Sequence, residues 1–233
     1  MYLPMICSPC VCSPIHMVAG ACAYSDFVEA GVFTGGVSIF MTSMLCAKGL
    51  LGDGAQPHRR MWMADSFAGM PPASASSRVG YSSEGFTSGT LIGTIGTVTT
   101  NFVNLLGRAD VPYNAAAVQS RCRKHGVPAG AHFMKGWFNE TLPGAIEKVA
   151  LLRLDSDLYV SIHDTLARLY PRLSVGGYVV FDDFKFTQAQ EAILAFRKAN
   201  SISSVLHRSG PASSGPFHSL DKMVYWQKSA SSG

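Results

Sequence analysis

Charge is scarce in this sequence. Asp and Glu together number 15 and Lys and Arg 19 in 233 residues, a formal net charge of +4, and no Lys/Arg run concentrates it. A chain without a basic stripe has no electrostatic footprint for nucleic acid, so no nucleic-acid partner is expected. Long hydrophobic runs are missing too. No window approaches the roughly 18 uninterrupted apolar residues of a membrane span, so no membrane partner is expected. The six cysteines include the cluster Cys7, Cys10 and Cys12, but no second pair completes the four ligands of a structural zinc site. Cys22, Cys46 and Cys122 sit in apolar or helical contexts and read as buried free thiols. A full G-x-G-x-x-G is also absent. Residues 1–24 lack a basic leader and carry Pro4, Pro9 and Pro14, so Ala21-Cys22-Ala23 is a poor signal-peptide end. An irregular start and a cytoplasmic chain are expected.

What is present is an apolar chain, 47% hydrophobic, of the right length for one doubly wound α/β domain, read here as residues 25–228 with a frayed 229–233. Two runs anchor the reading. Leu151-Leu152-Arg153-Leu154 and Tyr178-Val179-Val180-Phe181 have the composition of strands buried on both faces. Asp155 follows the first and Asp182-Asp183 the second. In a parallel sheet these acids share the carboxyl edge, where open α/β sheets bind ligands.

The remaining elements agree. Residues 26–30 read as a first strand, followed by the glycine-spaced turn Gly31–Gly36 and a helix over 37–48. Strand, glycine turn and helix match the first unit of a nucleotide-binding fold, where glycine lets the backbone approach a ligand; a tight structural turn is the alternative reading of the same glycines. Residues 60–64 form a second strand ending at Asp65, placed to accept two ribose hydroxyls or, alternatively, to cap the next turn. Residues 66–112 are a long connection with one element near 97–106, read as a flap over the site. A helix over 113–125, a strand over 131–135, a short helix over 142–148, a helix over 187–200 and strands at 204–207 and 223–227 complete the chain. His163 reads as a helix-face histidine.

Five motifs in order, FVEAGVFTGG, MADSFAGMPP, GWFNETLP, LRLDSDLY and GGYVVFDDF, resemble the macrocin O-methyltransferase (TylF) family over about residues 25–227. The resemblance implies a class I methyltransferase: a seven-stranded, mostly parallel sheet with an antiparallel final hairpin. It also implies S-adenosylmethionine and Mg2+ as cofactors. By the same resemblance Glu29, Gly31 and Gly35 lie around the methionine part of the donor, Asp65 and Ser66 at its ribose, and Gly136 and Trp137 along its adenine. Asp155, Asp182 and Asp183 match the magnesium carboxylates, and Asp157 the general base. The implied acceptor is a hydroxyl of a small molecule, sugar or polyketide-like or a catechol. The family's amino-terminal helical segment serves lid and oligomer, which leaves a homo-oligomer open here.

The chemistry is coherent. A sulfonium methyl is already activated, so the enzyme's task is to align an oxygen with it and deprotonate that oxygen. Carboxylates around a hard cation would polarise the hydroxyl, while four of them without a cation would repel one another. Asp155 could instead pair with Arg153, and Asp182-Asp183 could cap the following helix. The chain departs from the family at Phe33-Thr34, Ala68 and Ser156, and residues 1–24 and 80–108 match poorly. The altered amino-terminal segment and flap motivate one alternative, a donor-binding remnant without full activity; a nicotinamide-dependent oxidoreductase is a second, disfavoured by the incomplete glycine pattern and the acidic cluster.

Overall fold

In a computed structural model, which describes residues 25–51, 59–69, 114–127, 131–184, 186–208 and 223–230, the short apolar runs form one seven-stranded sheet. Strands β1 (Asp26–Ala30), β2 (Met61–Asp65), β3 (Ala131–Lys135), β4 (Val149–Leu154) and β5 (Leu173–Phe181) are parallel. β6 (His207–Arg208) and β7 (Val224–Gln227) form the antiparallel pair, with β7 against β5. Their order is β3-β2-β1-β4-β5-β7-β6, so the chain winds outward from β1 in one direction and then from β4 in the other. The reversal lies between β1 and β4, at the switch point where such sheets hold ligands.

Among the described residues five α-helices cover the two faces: α1 (Gly36–Ala47), α2 (Ala115–Lys124), α3 (Phe138–Thr141), α4 (Tyr159–Leu169) and α5 (Thr187–Ala199). Period-two alternation divides the core. Val28, Leu152, Leu154 and Phe181 pack with Ile162, Leu166 and Ile193 of α4 and α5, whereas Phe27, Met63, Leu151 and Val180 pack with Met41, Leu45 and Val118 of α1 and α2. β1 and β4 are buried along their whole length, which is why VALLRL of β4 reads as an apolar run broken only by Arg153, while β1 buries Asp26 and Glu29 as well. Trp226 closes the first core, fully buried, with its indole N–H donating to Tyr170 Oη at 3.2 Å.

Two expectations are corrected. The short helix expected over 142–148 lies earlier, as α3, because Pro143 offers no amide N–H and Gly144 takes φ +50°, both of which stop a helix. The strand expected over 204–207 is two residues at His207–Arg208. Residues 1–24, the element near 97–106 and all of the expected flap beyond Gly69 lie outside the described residues. Among the described residues no helix is long and apolar enough to cross a membrane.

Candidate active site

The sheet's carboxyl edge is set by register. Ala30 pairs with Ala64 and Leu154, Leu154 with Phe181, and Asp65 with Lys135. One residue beyond each strand, the ladder continues. Gly136 N donates to Asp65 O (3.0 Å), Gly31 N to Ala64 O (2.9 Å), Asp155 N to Ala30 O (2.9 Å) and Asp182 N to Leu154 O (3.0 Å). The sequence-predicted residues of all five motifs therefore stand side by side on one edge.

The turn after β1 is held from below and beside. Gly31 has φ +92°, and a Cβ there would lie 1.7 Å from the carbonyl oxygen of Asp155, so only glycine lets the first turn pass over the tip of β4. The Asp65 carboxylate accepts from Val32 N (2.7 Å) and Phe33 N (3.2 Å) with Oδ2, and from Phe67 N (2.7 Å) with Oδ1. Ser66 Oγ donates to Gly69 O at 2.6 Å. Asp65 is thus a clasp across the two turns as well as a strand-tip acid, in line with its capping alternative. Arg121 of α2 reaches the same turn, its Nε donating to Thr34 O at 2.8 Å. α2 also packs there through Val118, 2.7 Å from where a Cβ on Gly35 would sit.

The other half is built on one buried guanidinium. Register sets Arg153 beside Glu29, both on the α1 face and both almost fully buried. Arg153 Nη1 pairs with the Glu29 carboxylate, which also accepts from Ser38 Oγ of α1. Arg153 Nη2 pairs with Asp155 Oδ2 at 2.9 Å and with Asp182 Oδ2 at 3.0 Å. Burial pushes the Glu29 carboxyl up to about 7 against the pull of Arg153, and burial is likewise opposed at Arg153 by the three acids, which leave it more firmly protonated than usual. Glu29, placed around the donor by the resemblance, is 1% exposed and supports the turn from beneath.

Asp183 is buried, and its Oδ2 accepts from Asp157 N at 3.1 Å. Burial, then the charges of Asp157, Asp155 and Asp182, hold its carboxyl well above the usual range. Asp157 lies past the strand with φ +55°, so it does not share a strand face with Asp155. Gln188 of α5 fixes the far side of this loop, its Oε1 accepting from Tyr159 N at 3.1 Å. Neither Asp182 nor Asp183 stands at the N-cap of α5, which is Phe186 and has no side-chain cap bond. His163 stands on the exposed side of α4 against Asp164.

Four carboxylates on one edge are hard oxygen donors with mutual repulsion, a donor set chemically suited to a divalent cation. Asp155 and Asp182 are here turned onto Arg153, and among the described residues no three His, Cys, Asp or Glu side chains are gathered as a ready metal site. Sequence reasoning had named Arg153 only as a partner for Asp155. Its two further partners, together with Arg121 and Gln188, were missed. One signal was available: Arg153 and Asp155 are two apart at a strand end, the spacing of one face.

Comparison with known proteins places the chain. The macrocin O-methyltransferase (TylF) family profile matches residues 14–107 and 111–211, reaching further toward the amino terminus than the motifs do and running through most of 80–108. The chain is 36% identical over 213 residues to the 8-demethyl-8-(2,3-dimethoxy-alpha-L-rhamnosyl)-tetracenomycin-C 4'-O-methyltransferase of Streptomyces olivaceus, covering 89% of this chain and 67% of that protein. It is 30% identical over 215 residues to the mycinamicin III 3''-O-methyltransferase of Micromonospora griseorubida, covering 88% and 69%. Among solved structures it superposes on the O-methyltransferase NovP with a TM-score of 0.70 at 30% identity, covering 94% of this chain and 78% of that one. The family profile and these relatives together show that the chain belongs to the macrocin O-methyltransferase (TylF) family of S-adenosylmethionine-dependent O-methyltransferases.

Proposed function

We propose that this protein transfers a methyl group from S-adenosylmethionine to a hydroxyl of a sugar or polyketide-like acceptor, with magnesium held at the carboxylate half of the site. The observation that carries the reading is the meeting of Asp155, Asp157, Asp182 and Asp183 one strand away from the glycine turn. The acceptor class is supported by the rhamnosyl acceptor in the name of the Streptomyces olivaceus relative. Gly31, Gly35, Asp65, Ser66, Gly136 and Trp137 would hold the donor, whose sulfonium supplies an activated methyl group. At Gly31 even a methyl side chain would strike the Asp155 carbonyl, so the glycine turn lies backbone against backbone on the tip of β4, which supports this reading.

Asp155, Asp182 and Asp183 would hold the cation, which when bound would supply Lewis-acid assistance to ionisation of the acceptor hydroxyl. Asp157 would take the acceptor hydroxyl's proton, leaving its oxygen to displace the sulfide leaving group from the methyl carbon. Asp183 contributes by fixing the Asp157 backbone, and Gln188 by fixing Tyr159, so the base is held by two side chains from the β5–α5 side. Such positioning is where most of the available acceleration lies when the methyl group is already activated.

Calorimetric titration with S-adenosylhomocysteine, with and without magnesium, tests the donor site. A methyl-transfer screen on glycosides and catechols then tests the acceptor. The expected result is product binding and magnesium-stimulated transfer to a glycoside. Absence of S-adenosylhomocysteine binding overturns the reading, and binding without transfer to any acceptor favours a donor-binding remnant.

A further inference from the structure

Arg153 has an arrangement that packing alone does not require. It is 3% exposed, and an arginine stays charged at that depth. Its Nη1 is committed to Glu29, so the guanidinium is anchored from the donor side. Its Nη2 meets one oxygen from each of two different strand tips, Asp155 at 2.9 Å and Asp182 at 3.0 Å. Those two side chains are 32% and 31% exposed, so they face the guanidinium inward and the open edge outward. Each carboxylate has a second oxygen, and the same pair is proposed above to hold a divalent cation.

We infer that Arg153 is the internal counter-ion of these carboxylates: it balances Asp155 and Asp182 while no divalent cation is bound, and shares them with the cation when one binds. This rests on the magnesium reading of the site. Two consequences follow from electrostatics. Without a positive centre the acids would repel one another at close range, and Arg153 offsets that repulsion in the cation-free protein. The same positive charge opposes a dication arriving beside it, so Arg153 makes cation binding weaker and more reversible than a bare acid cluster would.

The test compares melting temperatures of wild type and Arg153→Met, each in chelator and in magnesium chloride. Methionine keeps the unbranched stem and removes the charge. Arg153→Met should melt below wild type in chelator, and magnesium should raise its melting temperature by roughly twice the wild-type increment or more, because a ligand that binds more tightly stabilises more at fixed concentration. A purely structural role would lower both temperatures alike and leave the increment unchanged. Arg153→Met/Glu29→Gln removes both buried charges, avoids stranding Glu29, and carries the same expectation. A variant that folds only with magnesium is the extreme of the expected result. Variants that fold in neither condition, or whose increment is equal to or smaller than wild type's, overturn the inference alone. No magnesium increment in wild type or either variant overturns the magnesium reading and this inference together.

Discussion

Asp65 and the pair Asp155/Asp182 are all strand-tip acids on one edge, yet they are satisfied in different ways. Asp65 is held by neutral amides of Val32, Phe33 and Phe67, whereas Asp155 and Asp182 are held by the formal charge of a buried arginine. Amide donors come from turns that a bound ligand can reshape. A buried guanidinium, tied to Glu29 of β1, has nowhere to go. The difference teaches that the edge around Asp65 is organised by neutral backbone amides and the edge around Asp155 and Asp182 by buried charge balance. Each half should therefore fail separately when mutated.

The largest separation is expected from Asp182→Asn. Turnover should fall by about a hundredfold or more, the scale of losing an electrostatic stabiliser of the reacting centre, while S-adenosylhomocysteine affinity measured by calorimetry stays near wild type. Unchanged turnover would remove Asp182 from the chemistry. Gly31→Ala should break the comparison instead, because Gly31 is where the halves touch. Its Cβ would collide with the Asp155 carbonyl at a positive φ, costing about 2–5 kcal/mol from left-handed strain plus overpacking. Denaturant midpoints would register this, with donor binding and turnover lost together.

Asp65→Ala should weaken S-adenosylhomocysteine binding by about 1–3 kcal/mol, the range for hydrogen bonds to a charged group, and leave the magnesium increment in melting temperature unaltered. An unaltered affinity would reduce Asp65 to a turn clasp. The smallest effect is expected from Arg121→Ala, which removes the bond to Thr34 O and should cost donor affinity about 1 kcal/mol at a partly exposed site, with kcat nearly unchanged. A fall in kcat without a fall in affinity would show that α2 serves the chemistry and not the turn.

The edge itself was legible in the sequence because a parallel strand buried on both faces has an unmistakable composition, and Asp155 and Asp182 follow two such strands directly. The full count of seven strands with a final antiparallel pair drew on the family resemblance as well, because β3 is only half-buried and β6 is exposed, so neither carries that composition. The helix expected over 142–148 was misplaced because its apolar spacing spoke for a helix while Pro143 and Gly144 forbade one. The backbone of Asp157 past β4 was not legible, since φ +55° is a state no side-chain pattern announces. Arg153 was the hardest residue to read: Glu29 is 124 positions away, and Asp182 comes from another strand.

From the sequence alone came the strands, their acidic ends, the glycine turn and the family, all of which depend on residues close together in the chain. Tertiary structure decided which charges answer one another. Register sets Glu29 opposite Arg153 and Leu154 opposite Phe181, and burial under α1 excludes water from the pair. Only then do Asp155 and Asp182 converge on a single nitrogen, because ion pairing depends on distance and desolvation, and neither is written along the chain.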